Sequence, residues 1–177
     1  MRKKIGLALV AAIALAAVIV AAQPSAFAIE RSVSIEAPAS LIYGHIASVR
    51  AMDVWSPWSK MDPQLQTVYD GPESGVGARS SWEGPKMGKG RVTVTAAAAD
   101  REVEMKLEML APMAATNRVL FTLSPRGETT AVTWRMEGTN GFVGKAMALV
   151  MNMETMVGDE FARGLGSLKT LVEAEAQ

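Results

Sequence analysis

The sequence predicts an α+β helix-grip fold. A curved antiparallel sheet of about six to seven strands wraps a long C-terminal helix, and two short helices follow the first strand. Three observations carry this. Residues 65–137 break into short runs that alternate with period two between Gly-, Pro- and Asp-containing turns. Such strands have one buried and one wet face, which marks an antiparallel sheet. The stretch 141–173 spaces its apolar residues by three and four, from Phe142, Ala146 and Leu149 through Met153 and Val157 to Phe161, Leu165, Leu168 and Val172. One long apolar helix finds cover only if the sheet curls around it, leaving a cavity between the two.

The chain divides into an N-terminal segment, 1–26, and a domain, 27–177. Residues 5–22 are 18 apolar residues behind a basic Met-Arg-Lys-Lys. As a helix they span roughly 27 Å, close to the hydrocarbon thickness of a bilayer. Two readings compete. As an anchor, the segment is a single membrane pass with its basic end inside and the domain on the extracytoplasmic side. As a signal peptide, Ala26-Phe27-Ala28 supplies an A-x-A site, and the domain is secreted or periplasmic after cleavage near Ala28. The length of the apolar run favours the anchor, and the alanine content weakens it.

Residues 27–36 form the first strand and stop at Ala37-Pro38. Ser40 caps a short helix through about Ser48, with Leu41, Ile42, Ile46 and Val49 as its apolar face. A second short helical piece or loop carries Met52 to Trp55 and stops at Pro57. Strands follow at 65–69, 78–83, 91–95, 102–110, 118–124 and 130–137. In 102–110, Val103, Met105, Leu107 and Met109 face one way; in 130–137, Val132, Trp134 and Met136 do. Arg135 and Glu137 share the opposite, solvated face as part of a cross-strand charge set. Asn140-Gly141 breaks into the final helix. Gly158, Gly164 and Gly166 are costly within it, which points to close approach of the helix to sheet backbone or to a bend at 164–166. Met153 and Met156 are expected to face the sheet.

Composition excludes several classes. The 18 basic residues include Arg2, Lys3 and Lys4, so residues 5–177 hold 15 basic against 18 acidic groups, a net of −3. Nucleic-acid binding wants the opposite balance. There is no cysteine and one histidine, so thiolate metal sites and histidine relays are excluded, and no metal or cofactor is expected. The glycines at 71, 75 and 77 are turn residues, and GVGARS lacks the GK[ST] of a P-loop. Nothing in the sequence signals an oligomeric state.

The ordered set R-S-V-S-I-E-A-P (31–38), W-S-P-W (55–58) with Asp62-Pro63, G-V-G-A (75–78), Trp82 with Gly84, V-T-W-R-M-E-G (132–138), M-V-G-D-E-F (156–161) and G-L-G-S-L-K (164–169) resembles the SRPBCC superfamily. These are the START-like and polyketide cyclase/dehydrase-type helix-grip proteins, and the match looks most like small bacterial members with an N-terminal membrane segment. The resemblance implies a pocket for a hydrophobic ligand and, in some members, cyclase, dehydrase or lipid-carrier activity. Fold alone transfers no reaction.

Trp82, Trp134, Trp58 and Tyr69 are the aromatic candidates for lining such a pocket; core packing is the alternative for each, and a WSPW corner can also pin the sheet edge. Met105, Met109, Met136 and Met153 are the adaptable apolar candidates among twelve methionines. The expected partner is a small hydrophobic molecule, lipid or polyketide-like, with the membrane met through residues 5–22. An enzyme of the cyclase/dehydrase sort needs an ionisable group facing the cavity. His45, Glu83 and Arg79 are weak candidates, and the inferred inner faces contain no charged residue, which favours binding. A partner-binding role with a vestigial cavity is the third reading.

Overall fold

The computed structural model describes residues 2–177, with side-chain surroundings at Gly6 and from residue 9 onward. Its elements run α1 (Arg2–Ala22), β1 (Ala26–Ile35), α2 (Ala39–Ala47), α3 (Val49–Trp55), α4 (Trp58–Met61), β2 (Gln66–Asp70), β3 (Arg79–Gly84), β4 (Gly88–Ala98), β5 (Glu102–Ala111), β6 (Ala115–Arg126), β7 (Thr129–Thr139), α5 (Phe142–Val150) and α6 (Met153–Glu175). Seven antiparallel strands form one open sheet in the order β1-β7-β6-β5-β4-β3-β2. This is the helix-grip architecture. Register shifts in β4, between Lys89 and Gly90 and between Val94 and Ala96, add the local twist by which bulges bend a sheet.

The alternation works as expected. Val103, Met105, Phe121, Val132 and Trp134 are buried on the inner face. The outer face carries a ladder of cross-strand charges. Arg118 bridges Glu104 and Glu137, and Arg135 bridges Glu137 and Glu30. Arg91 holds Glu108 through two nitrogens, at 2.6 and 3.0 Å.

α6 lies mainly along β1 and buries Gly158, Phe161, Leu165, Leu168 and Val172, a regular three–four spacing. Full burial of each large apolar side chain there contributes about 1.5–3 kcal/mol. Its C-terminal half is clasped to β1 and α2. Lys169 donates to the Ser34 carbonyl (2.8 Å), the Glu36 N–H donates to Glu173 (2.7 Å), and His45 meets Glu175 at 2.9 Å.

Several expectations need correction. Among the described residues no helix is long and apolar enough to cross a membrane. Half of the residues in Leu9–Ala22 are alanines, whose single methyl group carries little apolar surface. The single-pass anchor through residues 5–22 is overturned, and the extracytoplasmic placement built on it falls too. Ala26-Phe27-Ala28 opens β1, paired with Thr139, Gly138 and Glu137, so the strand starts one residue before the expected 27.

The C-terminal helix is two helices. The chain breaks at Met151–Asn152, where the Asn152 side chain accepts from the Thr155 N–H and caps α6 (3.1 Å). α5 is not part of the gripped stripe, since Phe142, Val143, Leu149 and Val150 are exposed. Met156 is half exposed rather than turned to the sheet. α6 runs unbroken through 164–166. At Gly158 the close neighbour is the Arg31 guanidinium, not sheet backbone. Ser40 lies inside α2, whose N-cap Pro38 makes no side-chain cap; Ser48 caps α3 instead, accepting from the Ala51 N–H.

Candidate functional site

A cavity of about 390 Å³ lies between the concave face of the sheet, α3, α4 and the first turns of α6. Val92, Met105, Leu107, Met109, Val119 and Met136 form its sheet wall. Val49 and Met52 come from α3, Trp58 from α4, and Met153, Val157 and Phe161 from α6. Met153, 37% exposed, is the barest of the lining residues and marks an open side. A wider depression of about 830 Å³ opens among Thr95, Glu104, Arg118, Arg135 and Glu137. Its charged groups are already paired with one another across the outer strands.

Two indoles shape the interior. Trp134 stacks on Phe161 (centroids 4.2 Å, 9° between planes), lies 4.9 Å from Phe121, and meets Trp55 edge-on at 5.6 Å. Trp82 sits across the β3–β4 ladder from Gly90. Each indole leans on a glycine. A Cβ at Gly90 would collide with the Trp82 ring, and one at Gly164 would stand 2.9 Å from both Trp134 Cζ3 and Pro57 Cδ. Both indole nitrogens are buried without a hydrogen-bond partner. Buried donors are nearly always satisfied, so two orphans in one wall are unusual.

Of the predicted residues, Trp58, Trp82, Met105, Met109, Trp134, Met136 and Met153 line this cavity. Tyr69 does not; its hydroxyl donates to Asp53, and the Arg50 guanidinium lies 4.1 Å over its ring. Trp55 is buried and donates to the His45 carbonyl (3.1 Å), so it pins α3 to α2. His45, Arg79 and Glu83 lie outside the wall, paired with Glu175, Asp70 and Lys89.

Sequence reasoning missed Asp53. It is the one ionisable side chain among the lining residues, and it comes from α3 rather than from the inner faces expected to be free of charge. A signal for it exists. Val49, Met52 and Asp53 stand at i, i+3 and i+4 and so share one helix face, which puts a carboxylate among apolar neighbours. Ser59 also donates to it (3.0 Å). Burial first, then the bond to Asp53, pushes the Tyr69 hydroxyl up to about 12, so it stays a proton donor at neutral pH.

Residues 26–173 match the family described as polyketide cyclase / dehydrase and lipid transport. The chain belongs to this family. The comparison with curated proteins gives no match. Solved structures share the fold at low identity. A Mesorhizobium loti protein superposes with a TM-score of 0.62 at 12% identity, covering 84% of this chain and 98% of its own. CalU16 from Micromonospora echinospora gives 0.56 at 14%, covering 85% and 78%. DynU16, from the dynemicin biosynthetic locus, gives 0.58 at 15%, covering 84% and 48%.

In this polyketide cyclase/dehydrase-family chain the Asp-Pro after the WSPW run has a clear structural task. Asp62 is buried, and its carboxylate accepts from the backbone N–H groups of Gln64 (3.1 Å), Lys86 (2.8 Å) and Met87 (3.1 Å). Burial alone would raise its pKa, but those three donors outweigh it and hold the carboxyl below the usual value. Among the described residues no group of three or more His, Asp or Glu could hold a metal.

Proposed function

We propose that this chain binds a small hydrophobic molecule, lipid or polyketide-like, in the cavity between sheet and α6. One observation carries the reading: a roofed space of about 390 Å³ whose wall is mostly Val, Leu, Met and Trp. Such dimensions and lining suit small-molecule sites. Trp58, Trp82, Met105, Met109, Trp134, Met136 and Met153 are its proposed ligand contacts, with Tyr69 acting from behind Asp53. The methionines allow the wall to adapt to shape. The family description, polyketide cyclase / dehydrase and lipid transport, gives the lipid or polyketide-like class as a starting point for screening, and DynU16, a neighbour of this fold, comes from a biosynthetic locus.

The test is a titration with the neutral fluorophore N-phenyl-1-naphthylamine. Saturable enhancement is expected, and Leu107→Trp, which fills the space, should abolish it while circular dichroism stays unchanged. Enhancement that survives Leu107→Trp would sink the proposal. A second reading, cyclase- or dehydrase-type catalysis, is favoured by Asp53 as a carboxylate within an apolar wall. It would show as turnover of a polyketide-like substrate that Asp53→Asn stops.

A further inference from the structure

The polar groups of the cavity are few and lopsided, and together they specify a ligand class. Asp53 supplies the wall's single formal charge, and it is negative. Arg50 is exposed and lies over the Tyr69 ring, outside the lining. A carboxylate has about four acceptor sites. Here two donors, Ser59 and Tyr69, hold it in place, so acceptor capacity remains for a third. The indole N–H groups of Trp82 and Trp134 have no accessible surface and so stay out of a guest's reach. An apolar guest that brought only hydrocarbon would strip water from Asp53 without replacing it, and an unmet buried polar group costs free energy.

We propose that the cavity selects an uncharged apolar molecule carrying a hydroxyl donor for Asp53, and that it rejects carboxylate lipids. This rests on the binding reading above and narrows it. A fatty-acid carboxylate would have to enter an apolar enclosure beside Asp53, with no cation in the wall to offset the repulsion. An alcohol meets the same carboxylate as a donor. The site thus reads polarity at one end and excludes negative charge throughout.

The experiment uses the full chain and three probes with the same hydrocarbon tail, lauryl alcohol, laurate and laurylamine. Each competes against bound N-phenyl-1-naphthylamine at neutral pH. Lauryl alcohol should displace the fluorophore at concentrations at least about tenfold lower than laurate, the size of effect expected from one close like-charge contact. Asp53→Asn should bring the two within about threefold of each other, chiefly through tighter laurate binding. Equal displacement by alcohol and laurate in the native protein would overturn the proposal, whatever the variant does. Laurylamine as the best competitor would overturn the uncharged class in favour of ion pairing with Asp53. Failure of the fluorophore to bind at all would instead defeat the binding reading itself.

Discussion

Gly90 and Gly164 act by what they lack. At each, the hydrogen in place of a methyl group leaves room for a tryptophan ring, Trp82 on one and Trp134 on the other. Gly90→Ala should therefore force the Trp82 ring or strand β4 to move. The expected loss is about 1–3 kcal/mol, typical of overpacking, read from urea unfolding together with a shift in tryptophan emission. Gly166 is the matched contrast. It lies in the same helix as Gly164, is exposed, and has open space where a Cβ would go. Gly166→Ala should stabilise by roughly 0.5–1 kcal/mol through helix propensity. Equal effects at the two sites would show that packing against the indole is not what Gly90 is for. From sequence Gly164 was visible only as a costly residue inside a helix, and Gly90 drew no notice. The partner that explains each one lies on another element, so the cost at Gly164 was legible and its cause was not.

At the scale of elements, the break at Met151–Asn152 separates a helix that is gripped from one that is not. α6 begins with its own cap, so Asn152→Ala should cost about 1 kcal/mol. In a domain of this size that lowers Tm by roughly 2–4 °C, measurable by calorimetry. The three–four spacing runs straight through the break and hid it. Periodicity reports that a face is apolar, and α5 keeps its apolar residues while leaving Phe142, Val143 and Val150 bare. The strands were the easier part. Period-two alternation along 102–110 and 130–137 fixed which residues point inward, because one face of this sheet is dry and the other is laced with charge. Asp53 was harder. Its meaning depends on α3 lying beside β2, where Tyr69 and Asp53 meet across 16 residues of chain. No local pattern contains that adjacency, although the apolar company on its own helix face hinted at it.

Across the whole molecule, the outer charge ladder makes stability depend on acid. The hydrogen bond from Arg91, then that from Lys106, holds Glu108 down at about 2 against an ordinary 4.5. Arg118 lowers Glu104 and, with Arg135, Glu137; the Glu36 N–H and Lys169 lower Glu173. Groups whose folded values are depressed stabilise fully above their unfolded values and lose that contribution as pH falls toward the folded ones. The urea midpoint should thus be flat above about pH 5 and fall steadily from about pH 4.5 toward pH 2. Glu108→Gln should flatten that fall. A slope unchanged in the variant would show that Glu108 contributes nothing to it. Asp62 adds to the same acid loss, and its geometry has another consequence. By taking the N–H groups of both Lys86 and Met87, it fastens the β3–β4 hairpin to the segment leaving α4, so Trp58 and Met87 belong to one immobile piece of the rim. Amide hydrogen exchange at Lys86 and Met87 should accordingly be slow. Met153, on the far side, faces solvent, and its neighbour Glu154 is tied to β1 through the Arg31 guanidinium at 3.1 Å. The rim is thus pinned on one side and bare on the other, so the way in for the proposed guest lies beside the start of α6.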